Sequence, residues 1–575
     1  MWNAFDADGK MLAVLNDETA RLLKAYGNHP SLVMLNATNE PAGHYAEQLP
    51  GWDKKWRDAD PRRLYSDGTG RFAPPPGGAG HPYAADFLVT PGARGPRGWF
   101  GADYEGVLRT MLHYAAIPCI GHEVGQWCAY PDFDVIVKFA GTQPHYSGFP
   151  EGKGSGHVPY MVPGNYRIWR DSATEHHLIA KNKEIAHASG RFQVACYKEE
   201  VEASLRTPSY SGHELLDPHD YLGQGGALMG LLDAFWEPKS YVGPAEFRQY
   251  CNATVPLARL EDRVYTTADT LKSDVEVAHD GLKPMANVMS QWQIVSTTGK
   301  VVDGGKFQPQ EIPRGKNIAL GSISADLSKL HAPAQYKLVI DLHGPTLFKN
   351  GWNFWLYPAK VDELIPEDVF VTTSWPEAEA WLATGGKVLF HPLAKDLNST
   401  NPKLSTVPIF WNRLMNPNGP WMLGLWNDAE HPALAGFPTE ANCDWQWIDL
   451  LGETHALNLD ALPPGLEPIV QPIDDWNRNF KLGLLYECNV SSGKLLVCSI
   501  DLNAQRAGAP SLRRSVLDYI GSAAFRPKIE IAAADLRKQW VSQRSGYVDP
   551  GANQPVVPSS PDLVDPGQIR RKPSQ

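Results

Sequence analysis

The sequence predicts an α/β chain of several domains, and three observations carry that prediction. Two short apolar runs, Leu32 to Leu35 and Ile117 to Ile120, are flanked by Gly or Pro, and each is followed by a carboxylate, Glu40 and Glu123. Runs of this length bounded by turn residues read as strands buried on both faces of a parallel sheet, whose C-terminal ends open onto the mouth of the sheet or barrel. From about 255 to 362 the pattern becomes alternating apolar and polar residues broken by turn signals, which reads as a β-sandwich. From 363 to about 530 strands and helices alternate, which reads as a second α/β layer. A length of 575 residues agrees with several domains rather than one.

In chain order, Asn16 to Tyr26 has a helical pattern with acidic residues expected in its first turn. The run ending at Glu40 follows. Residues 61 to 72 read as a short strand running into a Gly-rich loop, 86 to 91 as another strand, and Tyr104 to Ala116 as an amphipathic helix. The strand ending on Glu123 leads into an aromatic loop, Gln126 to Phe133, then a helical hairpin with its loop over about 134 to 206. Gly212 to Asp220 reads as the last strand of this portion, followed by a Gly-rich turn and a helix from Ala227 to Trp236, with the portion ending near 250. The sandwich strands include Arg263 to Thr267, Asp274 to His279, Val288 to Val295 and Lys337 to Leu342, closed by the Trp-rich stretch Gly351 to Pro358, expected in the core. In the second α/β layer, Val369 to Thr373, Pro376 to Thr384 and Lys387 to His391 suggest a βαβ unit. Lys494 to Ile500 is a further strand and Ser511 to Phe525 a last helix. The Pro-rich tail, 545–575, is expected to be disordered.

Composition excludes several classes. A net charge of −11 and a pI near 5.9, without a basic run, argue against nucleic acid. No apolar run reaches the length of a membrane span and no signal peptide is recognisable, so no membrane role is expected and localisation stays open. Seven scattered cysteines form neither a disulfide framework nor a zinc pattern. The 19 Trp and 21 Tyr suit stacking on sugar rings and large cores equally.

Glu40 and Glu123 stand 83 residues apart, room for about three βα units of roughly 30 residues each. Two carboxylates facing each other across a barrel mouth are what glycoside hydrolysis requires. The segments His29-Pro-Ser through Asn39-Glu40-Pro41, and Pro118 through Gly121-His122-Glu123-Val-Gly-Gln-Trp127, resemble the acid/base and nucleophile segments of glycoside hydrolase family 2. The resemblance implies that Glu40 is the acid/base, Glu123 the nucleophile, and Asn39 a partner of the sugar 2-hydroxyl. It also makes the Asn39-Glu40 strand the fourth of a (β/α)8 TIM barrel, so the expected fold is an N-terminally truncated barrel, 1–250, then the sandwich, 255–362. The layer at 363–530 resembles a flavodoxin-like, class I amidotransferase-like domain, without its nucleophile elbow, since Cys443 and Cys488 sit in other contexts. A truncated barrel predicts a homo-oligomer or an N-terminal portion outside this chain. Relatives in the family are often exported.

His122, Trp127, Tyr130, Asp217 and His219 are further candidates for substrate binding, with Tyr65 and His81 weaker ones. Asp217-Pro-His-Asp220 and Gln224 depart from the family's Trp-Asp segment, which leaves the sugar open. The expected activity is that of a retaining exo-β-glycosidase, β-galactosidase-type by default and β-glucuronidase next, acting on a carbohydrate without metal or cofactor. One rival is a metal-dependent hydrolase using His122, Glu123, Asp217, His219 and Asp220, although no HExxH spacing supports it. The other is a non-catalytic carbohydrate-binding or assembly protein.

Overall fold

The computed structural model describes residues 4–39, 41–66, 68, 86–90, 100–106, 118–139, 164–221, 226–362, 364–398, 400–404, 422–452 and 454–540. Glu40, His81, Gln224, most of the expected 104–116 helix and the 545–575 tail lie outside them. The chain divides into two compact units. One comprises residues 1–94, 102–125 and 200–216, and the other 95–101, 126–199 and 217–575.

In the first unit, a helix from Lys10 to Tyr26 starts six residues earlier than the sequence pattern suggests. The reason is the cap: Asp6 accepts from the backbone N–H of Lys10 and Met11 at 2.9 and 2.8 Å, satisfying two of the donors that a helix start leaves open. Asp17 and Glu18 therefore stand mid-helix. A second helix, Tyr45–Ala59, crosses it and is tied to it by Trp52 Nε1 to Thr19 Oγ1, 3.2 Å, and Trp56 Nε1 to Asn16 Oδ1, 3.0 Å. Beneath them Met34–Asn36 and Leu64–Ser66 pair in parallel, with Leu35 and Tyr65 facing the helices and joining Trp52 and Trp56 in one apolar core. Leu88–Thr90, Cys119–Val124 and Tyr210–Leu215 form a second parallel group in that order. Asp86 N–H donates to Tyr65 O at 2.9 Å, so the start of one group continues the edge of the other. Parallel strands of this kind are the barrel's building material, but a closed barrel is not shown.

In the second unit two of the sheets enclose one core. Thr254–Ala258, Thr270–His279 and Gly315–Asp326 make an antiparallel sheet. Opposite it lie Val301–Lys306, Met285–Ser296, Ala334–His343 and Leu347–Tyr357, with Val264–Thr266 parallel at the edge and Gln310–Ile312 paired to Met285–Ser296. Strand alternation sends Leu271, Val275 and Ile323 from the first sheet, and Leu338, Ile340 and Phe354 from the second, into the shared core. The Trp-rich strand is buried on both faces, since Tyr357 also bonds Gln446 of the helix Trp445–Leu451.

Six strands form the last sheet, in the order Val369–Thr372, Lys387–Phe390, Gly493–Cys498, Leu485–Val490, Val470–Asp474, Met422–Asn427. The first three are parallel and the others antiparallel to their neighbours. A flavodoxin-like sheet is parallel throughout, because each strand returns through a helix. Here a hairpin joins 485–490 to 493–498, so that expectation is corrected to a mixed α/β sheet. Its last packed helix is Ala533–Trp540, beyond Ala509–Gly521, and contributes Leu536 and Trp540 to the core. The helix expected over Ala227 to Trp236 is also corrected. Those residues form isolated bridges, Tyr221 with Ala227, His219 with Leu232 and Leu232 with Pro238. A Cβ at Gly230 would stand 2.2 Å from the His219 backbone, so the chain must cross itself closely there and cannot coil.

Candidate active site

The site can be built from one irregularity in one strand. Cys119–Val124 lies between Leu88–Thr90 and Tyr210–Leu215, and its register to the latter pairs Ile120 with Gly212, Gly121 with His213, and then Val124 with Leu215. Between the last two pairs, His122 and Glu123 face the single residue Glu214. Two residues against one is a β-bulge, which breaks the alternation and re-aims the side chains beside it. Glu123 takes a φ of 54°, in the left-handed region that non-glycine residues rarely adopt. Such a backbone costs on the order of 1–3 kcal/mol and persists only where the surroundings over-determine it. Gly121 lets the strands approach closely, since a Cβ there would stand 3.1 Å from the Tyr210 ring, which would have to give by a few tenths of an ångström. Past the bulge, Leu216 N–H donates to Val124 O at 3.1 Å and the ladder resumes.

The bulge sets the His122 ring between two carboxylates. Nδ1 bonds Glu214 Oε1, and Nε2 lies 3.3 Å from Glu123 Oε1. The side chains of His122 and Glu123 are 12% exposed and that of Glu214 is 51% exposed. Burial acts to lower the His122 pKa, but the bonds and charges of Glu123 and Glu214 outweigh it and raise the value to about 9. At neutral pH this is an imidazolium between two acids. Its partner Glu214 did not stand out in the sequence, yet one signal was there. The tripeptide Gly-His-Glu occurs twice, at 121–123 and 212–214, on what prove to be neighbouring strands.

A second polar feature of the first unit lies at the ends of the other strand pair. Asn36 and Ser66 are register partners, on the face opposite Leu35 and Tyr65. Both amide atoms of Asn36 and the Ser66 hydroxyl are buried and find no hydrogen-bond partner among the described residues. Unpartnered groups of this kind are rare in a stable core and are candidates for meeting a ligand or an ordered water. Asn39, three residues on, is exposed. Tyr65 is core, with its hydroxyl donating to Asp60 O at 3.1 Å.

The remaining candidates belong to the other unit. Trp127 and Tyr130, expected to wall a pocket, are each 4% exposed and stand in its core. Trp127 packs edge-on against Phe192, and the Tyr130 hydroxyl donates to Asn479 Oδ1 at 2.6 Å. His219 Nδ1 lies 3.5 Å from Asp217 Oδ1, and the His219 ring stacks on Trp236 with centroids 4.3 Å apart. Asp220 is buried and accepts from Lys239 Nζ at 2.6 Å and Gly230 N–H at 3.1 Å.

Two family models match the chain, both described as domains of unknown function: DUF8488 over residues 269–358 and DUF8487 over 370–540. No curated protein matches the sequence. Among solved structures, the chain is similar to an FMN-binding β-glucuronidase from Facaelibacterium prausnitzii L2-6, at 12% identity and a TM-score of 0.27 over 62% of this chain and 46% of that one. A β-glucuronidase from Parabacteroides merdae gives 10% identity and a TM-score of 0.28 over 64% and 43%. A candidate β-galactosidase from Bacteroides fragilis gives 14% and 0.27 over 63% and 46%. The match thus spans less than half the length of each of these structures, and likeness at this level carries no argument about chemistry.

Proposed function

We propose that the chain is a retaining exo-β-glycosidase, with Glu123 as nucleophile and Glu40 as acid/base, and with the limits 1–250, 255–362 and 363–530 for its three layers. The observation that carries the reading is the placement of Glu123: a left-handed residue in a bulge at the C-terminal end of a parallel strand, 3.3 Å from an imidazolium. Bulges and left-handed non-glycine residues concentrate where a side chain must be aimed for chemistry. The adjacent positive charge suits the ionised form that a nucleophilic carboxylate must have.

In this mechanism Glu123 attacks the anomeric carbon while the glycosidic C–O bond breaks and the leaving oxygen takes the Glu40 proton. Water then attacks the same carbon, passes its proton to Glu40, and releases Glu123 as carboxylate, so the anomer is retained. Asn39 would bond the sugar 2-hydroxyl. The sugar is a β-galactoside by default and a β-glucuronide next.

Hydrolysis of a panel of aryl β-glycosides, with the product anomer followed by NMR, tests the reading. Glu123→Gln is expected to lose about 10⁴-fold or more in kcat, and Glu40→Gln to lose activity least on substrates with good leaving groups. Turnover indifferent to both substitutions would sink the assignment. A chain that binds but never hydrolyses any of the panel would point to a carbohydrate-binding protein instead.

A further inference from the structure

The candidate nucleophile changes charge during the proposed reaction, and the cluster around it holds one acid more than a single ion pair needs. Glu123 alone could neutralise His122 in the free protein. Yet the bulge also turns the other ring nitrogen onto Glu214, across the strand pair.

We propose that Glu214 is a positioning residue that keeps His122 protonated, and its ring fixed, while Glu123 is esterified. The inference rests on the glycosidase reading above. In the free protein the cluster is carboxylate, imidazolium, carboxylate. When a Glu123 oxygen bonds the anomeric carbon, the glycosidic electron pair departs with the leaving oxygen, which gains the Glu40 proton. Glu123 is then a neutral ester, and the contact at Nε2 no longer has an anion. His122 is largely buried, and burial disfavours its charged form. With Glu214 still bonded to Nδ1, the proton stays. In the second half-reaction the C–O electron pair returns to Glu123 as the bond to the sugar breaks, and the new carboxylate forms beside a cation already in place. Without Glu214 the ester state would expel the His122 proton to solvent, and Glu123 would have to leave facing a neutral ring.

The surroundings agree with a role specific to Glu214. Among the described residues, the ionisable groups on His122's own strand are Cys119 and Glu123, and those on Tyr210–Leu215 are Tyr210, His213 and Glu214; Cys119 and Tyr210 pair with each other at the start of the two strands, three and four positions from His122 and Glu214. The other flank, Leu88–Thr90, carries none. Glu214 is half exposed, so its replacement removes a charge without opening a core.

The test is Glu214→Gln, with Glu214→Asp as the conservative variant, in pre-steady-state hydrolysis of an activated aryl β-glycoside. The burst that reports esterification should change by no more than a few-fold. The following steady-state rate should fall and acquire an alkaline limb starting near the ordinary histidine range, about 6.5, and dropping about tenfold per pH unit. Aspartate should restore part of the rate and shift the limb back upward. In parallel, ¹⁵N NMR of the histidine rings without substrate should show the His122 midpoint moving down in Glu214→Gln. An unmoved midpoint overturns the inference whether or not the chain turns over. A normal burst with an unchanged pH profile overturns it while leaving the glycosidase reading standing. Absence of any glycosyl-enzyme in the unsubstituted chain overturns that reading and this inference with it.

Discussion

The two-sheet core of the second unit and the parallel strands of the first are built from the same backbone ladders under opposite constraints. Ala334–His343 pairs with Leu347–Tyr357 over ten successive residues without a register shift, and Leu338, Ile340, Leu342 and Phe354 fill the core at zero exposure. In the first unit, Cys119–Val124 carries two register shifts in six residues, a left-handed glutamate and a largely buried imidazolium. Asn36 and Ser66 bury polar atoms with no partner among the described residues. Regularity of the first kind is what stability alone selects. Departures of the second kind cost stability and are expected where side chains must be aimed at a substrate.

If that contrast is right, the first unit should depend on buried charge where the sandwich depends on apolar contact. Glu202 and Arg206, in the last turns of the helix Asn182–Arg206, are 0% and 1% exposed and bond at 2.7 Å. Glu202→Gln removes the carboxylate charge that the buried Arg206 guanidinium bonds, and the expected cost is about 4 kcal/mol, read as loss of hydrogen-exchange protection across 200–216. A cost below about 1 kcal/mol would mean that the Glu202 charge is not what stabilises Arg206 in its buried position. In the sandwich, Leu338→Ala removes a side chain with zero exposure and should cost about 3 kcal/mol, read as protection lost over 254–357. It should leave the His122 midpoint untouched. Movement of that midpoint would erase the separation between a stabilising region and a working one.

How much of this was legible in the sequence follows the same division. Lys337 to Leu342 and Asp274 to His279 show alternation in the residue order itself, and both lie inside observed strands. The sandwich stretch is also where a bland rule suffices, apolar in and polar out. The first helix starts at Lys10 and not at Asn16 because the Asp6 carboxylate, four residues before Lys10, takes the first backbone donors, a role the acidic pair at 17 and 18 does not fill. Ala227 to Trp236 mimics a helix through Leu228, Leu231 and Leu232, but the close crossing at Gly230 overrides that spacing. The His122 and Glu123 placement was legible as far as a strand end, whereas Glu214 needed the register. A one-residue offset sets Gly121 opposite His213, and the bulge then gives both His122 and Glu123 to Glu214. Residue order cannot show an offset between strands some ninety positions apart. The direction of the parallel and antiparallel strands in the last sheet was hidden for a like reason, since a strand's neighbours are set by the turns that return it.

The smallest effect tests the charged cluster itself. The folded His122 pKa of about 9 lies above the roughly 6.5 of an unfolded histidine. Folding therefore favours the protonated ring, so the cluster's stabilisation is present in full below about pH 6.5 and is lost as pH rises through about 9. With Glu214 half exposed and screened by solvent, the expected loss is on the order of 1 kcal/mol. His176, raised by its bond to Asp460, would shift the second unit in the same direction, so a bare pH scan cannot assign the effect. The difference in protection of residues 118–124 between the unsubstituted chain and His122→Gln can, because His176 is common to both. That difference should be largest near pH 6 and shrink by pH 9.5. If it persists undiminished at the higher pH, the ring is held by its shape and not its charge, and the irregular strand of the first unit would then be a packing feature like those of the sandwich.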